Sequence, residues 1–132
     1  MKIIVKRLLP NQDIKVNLIS FLEENQLSAA AIISAVGSVK EYVIRVSDGS
    51  SVISGNDNRE IVSLSGILTK DGIHVHLSLS GLDGSVIGGH LMEGCLVNTT
   101  LEVVLMSLED DLSREFDSDT GYKELVIKKR AQ

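Results

Sequence analysis

Residues 61–80 read IVSLSGILTKDGIHVHLSLS, and they carry the clearest fold signal in the chain. In two runs, 61–69 and 73–80, apolar side chains alternate with polar ones, which is the pattern of half-buried β-strands. Lys70-Asp71-Gly72 lies between the runs, and Asp-Gly in that position is a strong hairpin signal. The sequence therefore predicts an antiparallel β-hairpin here.

Most of the remaining chain also has strand-like patterns. Runs of β-branched and small residues bounded by turn signals predict strands at 2–9, 29–36, 39–46, 95–108 and 122–128, with shorter ones near Val52 and at Val86-Ile87. Gly37-Ser38 predicts a bend or bulge. We expect residues 122–128 to close the domain as an edge strand, and the acidic segment 110–116 to be a short helix or a loop.

One segment has helical periodicity instead. Four apolar residues fall at i, i+4, i+7 and i+8, the spacing of a single helical face: Ile14, Leu18, Phe21 and Leu22. The helix is predicted over residues 11–24. Asn11 can cap its first turn, Asp13 lies where a carboxylate favours the N-terminus, and Asn25 lies where the helix should end.

Together these elements predict an α+β fold, a mostly antiparallel sheet with one main helix packed on it. A chain of 132 residues is long enough to bury one core. Neither an internal repeat nor an interdomain linker interrupts the pattern. We therefore expect a single domain over residues 1–132.

Composition argues against several classes of protein. The net charge of −5 and the pI of about 5.1 oppose attraction to nucleic acid or to an anionic membrane. The one basic run, Lys128-Lys129-Arg130, is expected to be a solvated tail. Cys95 is the single cysteine, which excludes an internal disulfide and fits a reducing compartment. No apolar run approaches the ~20 residues that span a bilayer. We expect a cytoplasmic protein.

The three histidines of the chain fall in one window, His74, His76 and His90. On a β-strand His74 and His76 share a face and lie about 7 Å apart along the backbone. Gly88-Gly89 before the third indicates a turn whose backbone is forced close to a neighbouring strand or to the site, and this turn is expected to deliver His90 to them. Three imidazoles with a fourth position open to water are a known zinc arrangement. We predict a zinc site with these three residues as ligands.

A second interpretation has no metal. His74 and His76 would share a solvated strand face with Ser78 and Ser80, and His90 would be a turn histidine bonded to the backbone. Among nearby groups, Glu93 reads most simply as a surface carboxylate. Cys95 is a weak candidate for a fourth ligand.

Several of these segments together resemble the plants-and-prokaryotes-conserved (PPC) domain. The resemblance runs from about residue 2 to residue 125. It rests on Arg7-Leu8-Leu9-Pro10 before the helix, on residues 29–39 and 60–66, and most specifically on the His-x-His strand with its Gly-Gly-His segment. It implies an α+β fold that assembles as a homotrimer. In some similar proteins the three histidines hold zinc.

The resemblance also implies a role. In plants this domain follows AT-hook motifs in nuclear proteins and supports self-association, and stand-alone prokaryotic members are labelled DNA-binding on that analogy. This chain has no Arg-Gly-Arg-Pro hook, so its charge and motifs do not support a DNA contact. The residues therefore leave three interpretations open. They are a DNA-associated, regulatory or assembly module with a zinc site, a zinc-dependent hydrolase or lyase acting on a small polar substrate, and a metal-free structural oligomer.

Overall fold

The computed structural model describes residues 1–128 as a mostly antiparallel β-structure with one short helix. The basic run Lys128-Lys129-Arg130 therefore lies mostly outside the described residues. The elements in chain order are β1 (Ile3–Leu8), α1 (Ile14–Glu24), β2 (Ala29–Arg45), β3 (Val52–Gly55), β4 (Arg59–Thr69), β5 (Gly72–Ser80), β6 (Val86–Leu91), β7 (Leu96–Ser107), β8 (Asp111–Asp117) and β9 (Tyr122–Lys128).

The seven strands β1 to β7 form one antiparallel sheet in the order β1-β7-β2-β4-β5-β6, with β3 paired to β2. The sheet also closes on itself, because β6 pairs with the end of β2 through Ile44 opposite Leu91 and Arg45 opposite His90. Strands β2, β4, β5 and β6 therefore form a ring. This closure leaves no free edge on β6 where it meets β2.

The 17-residue strand β2 makes this topology possible. Its earlier part pairs with β7 and β4, and its end pairs with β3 and β6. The sequence predicted two strands joined by a bend or bulge at Gly37-Ser38. The structure has one strand, and its register against β7 shifts between those two residues. The bulge prediction is confirmed, and the break into two strands is wrong.

The helix buries the predicted face, since Ile14, Leu18, Phe21 and Leu22 are all buried. They belong to one largely aliphatic core with side chains from β1 and β7 such as Leu8 and Leu101. Burial of that face, more than local propensity, stabilises a helix of only 11 residues.

The helix begins later than predicted, because Asp13 and not Asn11 is its cap. Asp13 Oδ1 accepts a hydrogen bond from the Val16 amide at 3.0 Å, and its Oδ2 accepts one from the Gly94 amide at 2.7 Å. Asn11 has a positive φ of 73° and its amide donates to the Val97 carbonyl. Asn25 ends the helix as predicted.

Residues 111–128 form a separate two-stranded sheet, in which β8 pairs with β9. The helix or loop predicted for 110–116 is therefore wrong, because the acidic residues obscured a period-two pattern that buries Leu112. Residues 122–128 are a strand as predicted. They pair with β8 and not with the edge of the main sheet. We call Asp111–Lys128 the C-terminal hairpin.

The closure of the ring depends on Gly89. A Cβ at this position would lie 2.5 Å from the Arg45 carbonyl oxygen and 2.7 Å from Ile44 Cγ2. We expect Gly89→Ala to lower the free energy of unfolding by about 1–3 kcal/mol, since β6 must move away from β2. Urea denaturation measures this change.

Gly81→Ala is the matched control. Its Cβ would meet only the end of the Arg59 side chain, at 3.0 Å from Nη1. A flexible side chain can move more cheaply than a backbone carbonyl, so the loss should be smaller. Equal stability of the two variants would contradict a role for Gly89 in the closure.

Candidate metal centre

The three histidines meet on two neighbouring strands of the ring. His74 and His76 lie two residues apart on β5, and His90 lies on β6 directly opposite His76. The nearest nitrogens of the three rings all lie within 4.8 Å of one another. The predicted convergence of these side chains is therefore present.

His90 lies on a strand and not in the predicted turn, whereas the predicted close approach of the Gly88-Gly89 backbone to neighbouring strands is confirmed. Gly88, Gly89 and His90 belong to strand β6 and do not form a turn. The glycines act through close backbone approach, since a Cβ at Gly88 would lie 2.6 Å from the Leu77 carbonyl oxygen. Two residues without side chains thus let β6 fit between β5 and β2 and bring His90 level with His76.

Burial and neighbouring cations favour the neutral form of the His74 and His90 imidazoles. Burial, followed by the positive charge of Arg45, lowers the pKa of His90 to about 4. Burial, with smaller effects from His76 and Arg114, also lowers the pKa of His74. Both rings are therefore neutral at pH 7. Only a neutral imidazole offers a lone pair to a metal ion.

The separation of two of the ring nitrogens fits a tetrahedral ion, and the third would have to move closer to them, because the cluster spans up to 4.8 Å. His74 Nε2 and His76 Nε2 are 3.2 Å apart, and two ligands at about 2.0–2.1 Å from a tetrahedral zinc are separated by about 3.3 Å. Without metal the same separation accommodates one N–H···N hydrogen bond. Nδ1 of His90 is buried and has no hydrogen-bond partner within the described part of the chain. The donor set therefore suits a metal that prefers nitrogen.

A cavity of about 430 Å³ opens beside His74 and His90. The C-terminal hairpin supplies much of its wall, and the remainder comes from the β4–β5 turn and the end of β2. The lining residues besides the two histidines are Arg45, Asp71, Gly72, Ile73, Arg114, Tyr122, Lys123 and Glu124. Arg114 and Glu124 also line the neighbouring depression that contains His76.

Sequence reasoning missed these wall residues. Arg114, Tyr122, Lys123 and Glu124 lie on a hairpin whose first strand was predicted as a helix or loop, so no local signal connected them to the histidines. The structure docks the hairpin through the Arg114 amide, which donates to Asp71 Oδ2 at 3.3 Å. The Arg114 side chain then passes over Gly72.

Cys95, the candidate fourth ligand, and Glu93, the nearby carboxylate, both lie outside the histidine cluster. Cys95 is buried in the core, and its thiol donates to the Val43 carbonyl at 3.3 Å. Burial raises the pKa of this thiol, which disfavours the thiolate that a metal needs. Within residues 1–128 the histidine cluster includes neither Cys95 nor Glu93, and Glu93 is exposed.

The fold and the centre define a class of antiparallel α+β proteins in which a histidine cluster lies on a closed ring of strands. Residues 1–109 match the family model described as the Plants and Prokaryotes Conserved (PCC) domain, the domain abbreviated PPC above. The chain belongs to this family, so the family resemblance is confirmed.

Relatives extend the match beyond residue 109. The chain is 44% identical over 127 residues to the bifunctional protein GlmU of Synechococcus sp. (strain JA-3-3Ab), covering 96% of this chain and 20% of that protein. It therefore spans about a fifth of the length of the curated relatives that it matches.

Two solved structures resemble the chain in both sequence and fold. A hypothetical protein from Salmonella cholerae-suis is 37% identical with a TM-score of 0.93, covering 98% of this chain and 95% of that one. A metal-containing protein from Archaeoglobus fulgidus is 31% identical with a TM-score of 0.81, covering 96% of this chain and 94% of that one.

No helix within residues 1–128 is long and apolar enough to cross a membrane.

Proposed function

We propose that this protein is a zinc-binding, homotrimeric PPC-domain module in which His74, His76 and His90 hold the ion. The observation that carries the proposal is the convergence of three imidazole nitrogens within 4.8 Å of one another. Three nitrogen ligands with a fourth position open to the cavity suit zinc. When bound, zinc would act there as a Lewis acid and lower the pKa of a bound water.

The relatives support this proposal. The Archaeoglobus fulgidus protein, which is described as metal-containing, is 31% identical to this chain. The chain also matches a fifth of a larger bifunctional protein, so a similar domain occurs there as one part of a longer chain, as expected for a module.

The zinc proposal predicts metal content. After extensive dialysis, elemental analysis of the wild-type protein should give about one zinc per chain. His76→Ala should lose most of it, because two ligands are insufficient for a stable tetrahedral site.

Ser80→Ala is the control for the zinc measurement. Ser80 lies on the same strand and the same face as His76, yet outside the cluster. This variant should keep its zinc. Wild-type protein without zinc, even after incubation with zinc, would contradict the assignment.

An exposed apolar surface supports the homotrimer. Val5 on β1 lies opposite Val104 on β7, and Ile3 lies opposite Met106. The other face of β7 is buried in the core, through residues such as Val103 and Leu105. Val5 is 73% exposed and Ile3 is 52% exposed, and an apolar patch of this kind is typical of a surface covered by a partner.

The same surface continues onto β2. Val36 is 58% exposed and lies opposite Glu102, which is in turn opposite Arg7. Glu102 lies within the apolar strand β7, where a buried charge would be costly. The structure exposes Glu102 at the rim of this surface, where a carboxylate costs little. We call Ile3, Val5, Val36, Val104 and Met106 the apolar face.

Light scattering coupled to size exclusion should give three times the chain mass of 14.3 kDa. Val5→Glu should shift the mass toward that of one chain, since burying an unpaired carboxylate in an interface is expensive. Ile127→Glu is the control, because Ile127 is similarly exposed, at 63%, but lies on the C-terminal hairpin. A monomeric wild-type protein would contradict the proposal.

DNA binding is the part of the family analogy that this chain supports least. The net charge of −5 gives no long-range attraction to phosphates. In a gel shift we expect no complex with duplex DNA at ~0.2 M salt, because any weak binding would be electrostatic and screened. A complex that persists at that salt concentration would make DNA binding the better proposal.

A zinc-dependent hydrolase or lyase is the second candidate. The observation that favours it is Glu124, a carboxylate that lines both the cavity beside His74 and the depression beside His76. A carboxylate in that place can accept a proton from a polarised water or substrate. This candidate differs from the first because it requires turnover that disappears when the metal is removed.

A further inference from the structure

We propose that the cavity beside the three histidines binds a small organic anion, a molecule with a carboxylate or phosphate group, between the guanidinium groups of Arg45 and Arg114. The C-terminal hairpin forms its outer wall. The inference names the ligand class of the same centre. It rests on the proposed function only in placing the anion beside a metal ion.

Within residues 1–128, no ion pair joins a cation of this cavity to a carboxylate. Within residues 1–128 the ion pairs are Met1–Glu109, Lys6–Glu24 and Arg59–Asp57, so none involves a side chain of the cavity. Arg45 instead lies over the Tyr122 ring, with its guanidinium carbon 5.8 Å from the ring centroid. A guanidinium on an aromatic face keeps its N–H donors available for an anion.

Within the described residues, the guanidinium of Arg114 has N–H groups without a good hydrogen-bond acceptor. Its Nη1 donates only to the Lys123 carbonyl, at a long 3.5 Å, and its Nε is buried with no partner in the described chain. Buried polar groups in folded proteins nearly always have a hydrogen-bond partner, and an orphaned one calls for an explanation. An oxyanion that enters the cavity and turns the guanidinium toward itself would satisfy this group, because a guanidinium can donate two parallel hydrogen bonds to a carboxylate or phosphate.

The charges that line the cavity also favour an anionic ligand. The cavity is lined by three cationic side chains, Arg45, Arg114 and Lys123, and by two acidic ones, Asp71 and Glu124. A divalent ion at the histidines would add further positive charge to a site that already has an excess of it. An anion that contacts both the arginines and the ion would offset this repulsion.

The size and lining of the cavity favour an organic molecule over a simple ion. Its volume of about 430 Å³ lies within the range of small-molecule sites. Ile73 and Tyr122 give it an apolar wall, which inorganic phosphate would leave uncovered. Glu124 offers an acceptor for a hydroxyl or amino group on the same ligand.

Isothermal titration calorimetry on the zinc-loaded full chain tests the proposal with three probes. Succinate carries carboxylates, glycerol 3-phosphate carries a phosphate, and glycerol is its neutral counterpart. We expect at least one anionic probe to bind and glycerol not to bind. Arg45→Gln and Arg114→Gln should each weaken that binding by about 10- to 100-fold, the typical loss of a charge-assisted hydrogen bond.

Two further variants keep the result interpretable. Lys6→Gln removes the same charge from a residue near Glu24 and Phe21, outside the cavity, and should bind the probe as the wild type does. Arg114→Lys keeps the charge but loses the planar fork, and should give an intermediate affinity. Circular dichroism and zinc content should be unchanged in each of them.

The outcomes separate the anion from the metal. Binding of succinate alone or of glycerol 3-phosphate alone supports the proposal and identifies the anionic group. Anion binding that depends on the arginines in a protein found to hold no zinc would sustain the anion site and overturn the zinc assignment. Equal binding by wild type, Arg45→Gln and Arg114→Gln would overturn the anion site, and so would failure of both anionic probes to bind.

Discussion

The double pairing of β6 fixes the positions of the groups around the histidine cluster. One side of this short strand pairs with β5 and the other with the end of β2. The first pairing brings His90 level with His76, and the second brings Arg45 level with His90. Backbone hydrogen bonds therefore set the positions of the cluster and of its neighbouring cation before any ligand is considered. A histidine held in this way loses little further conformational freedom when it binds a metal.

Local patterns were enough to predict much of the sheet and the helix. The 61–80 hairpin, the buried helical face and the bulge at Gly37-Ser38 all follow from periodicity and turn chemistry, which act within a few residues. The sequence could not show whether Asn11 or Asp13 caps the helix, because both residue types favour the N-cap position. The second hydrogen bond of Asp13, to the Gly94 amide, is a contact across 81 residues that no local pattern contains.

The histidines of the site could be predicted from the sequence, whereas the residues of the cavity wall could not. Two of the histidines share a strand, and the third precedes the end of the next strand, so their convergence could be predicted from alternation and the glycine pair. The wall of the cavity could not. Arg114 and Glu124 reach the histidines only because the C-terminal hairpin docks on the β4–β5 turn. The pattern of that hairpin was obscured by acidic residues, which lower strand propensity without preventing a half-buried strand.

The C-terminal hairpin pairs only with itself and lies beyond residue 109, where the family match ends. The cluster and the ring lie before that point. A substitution or a change of length in the hairpin would alter the outer wall of the cavity while the strands that position the imidazoles keep their register. A homologue with the same three histidines and a different hairpin would therefore offer a ligand a different cavity.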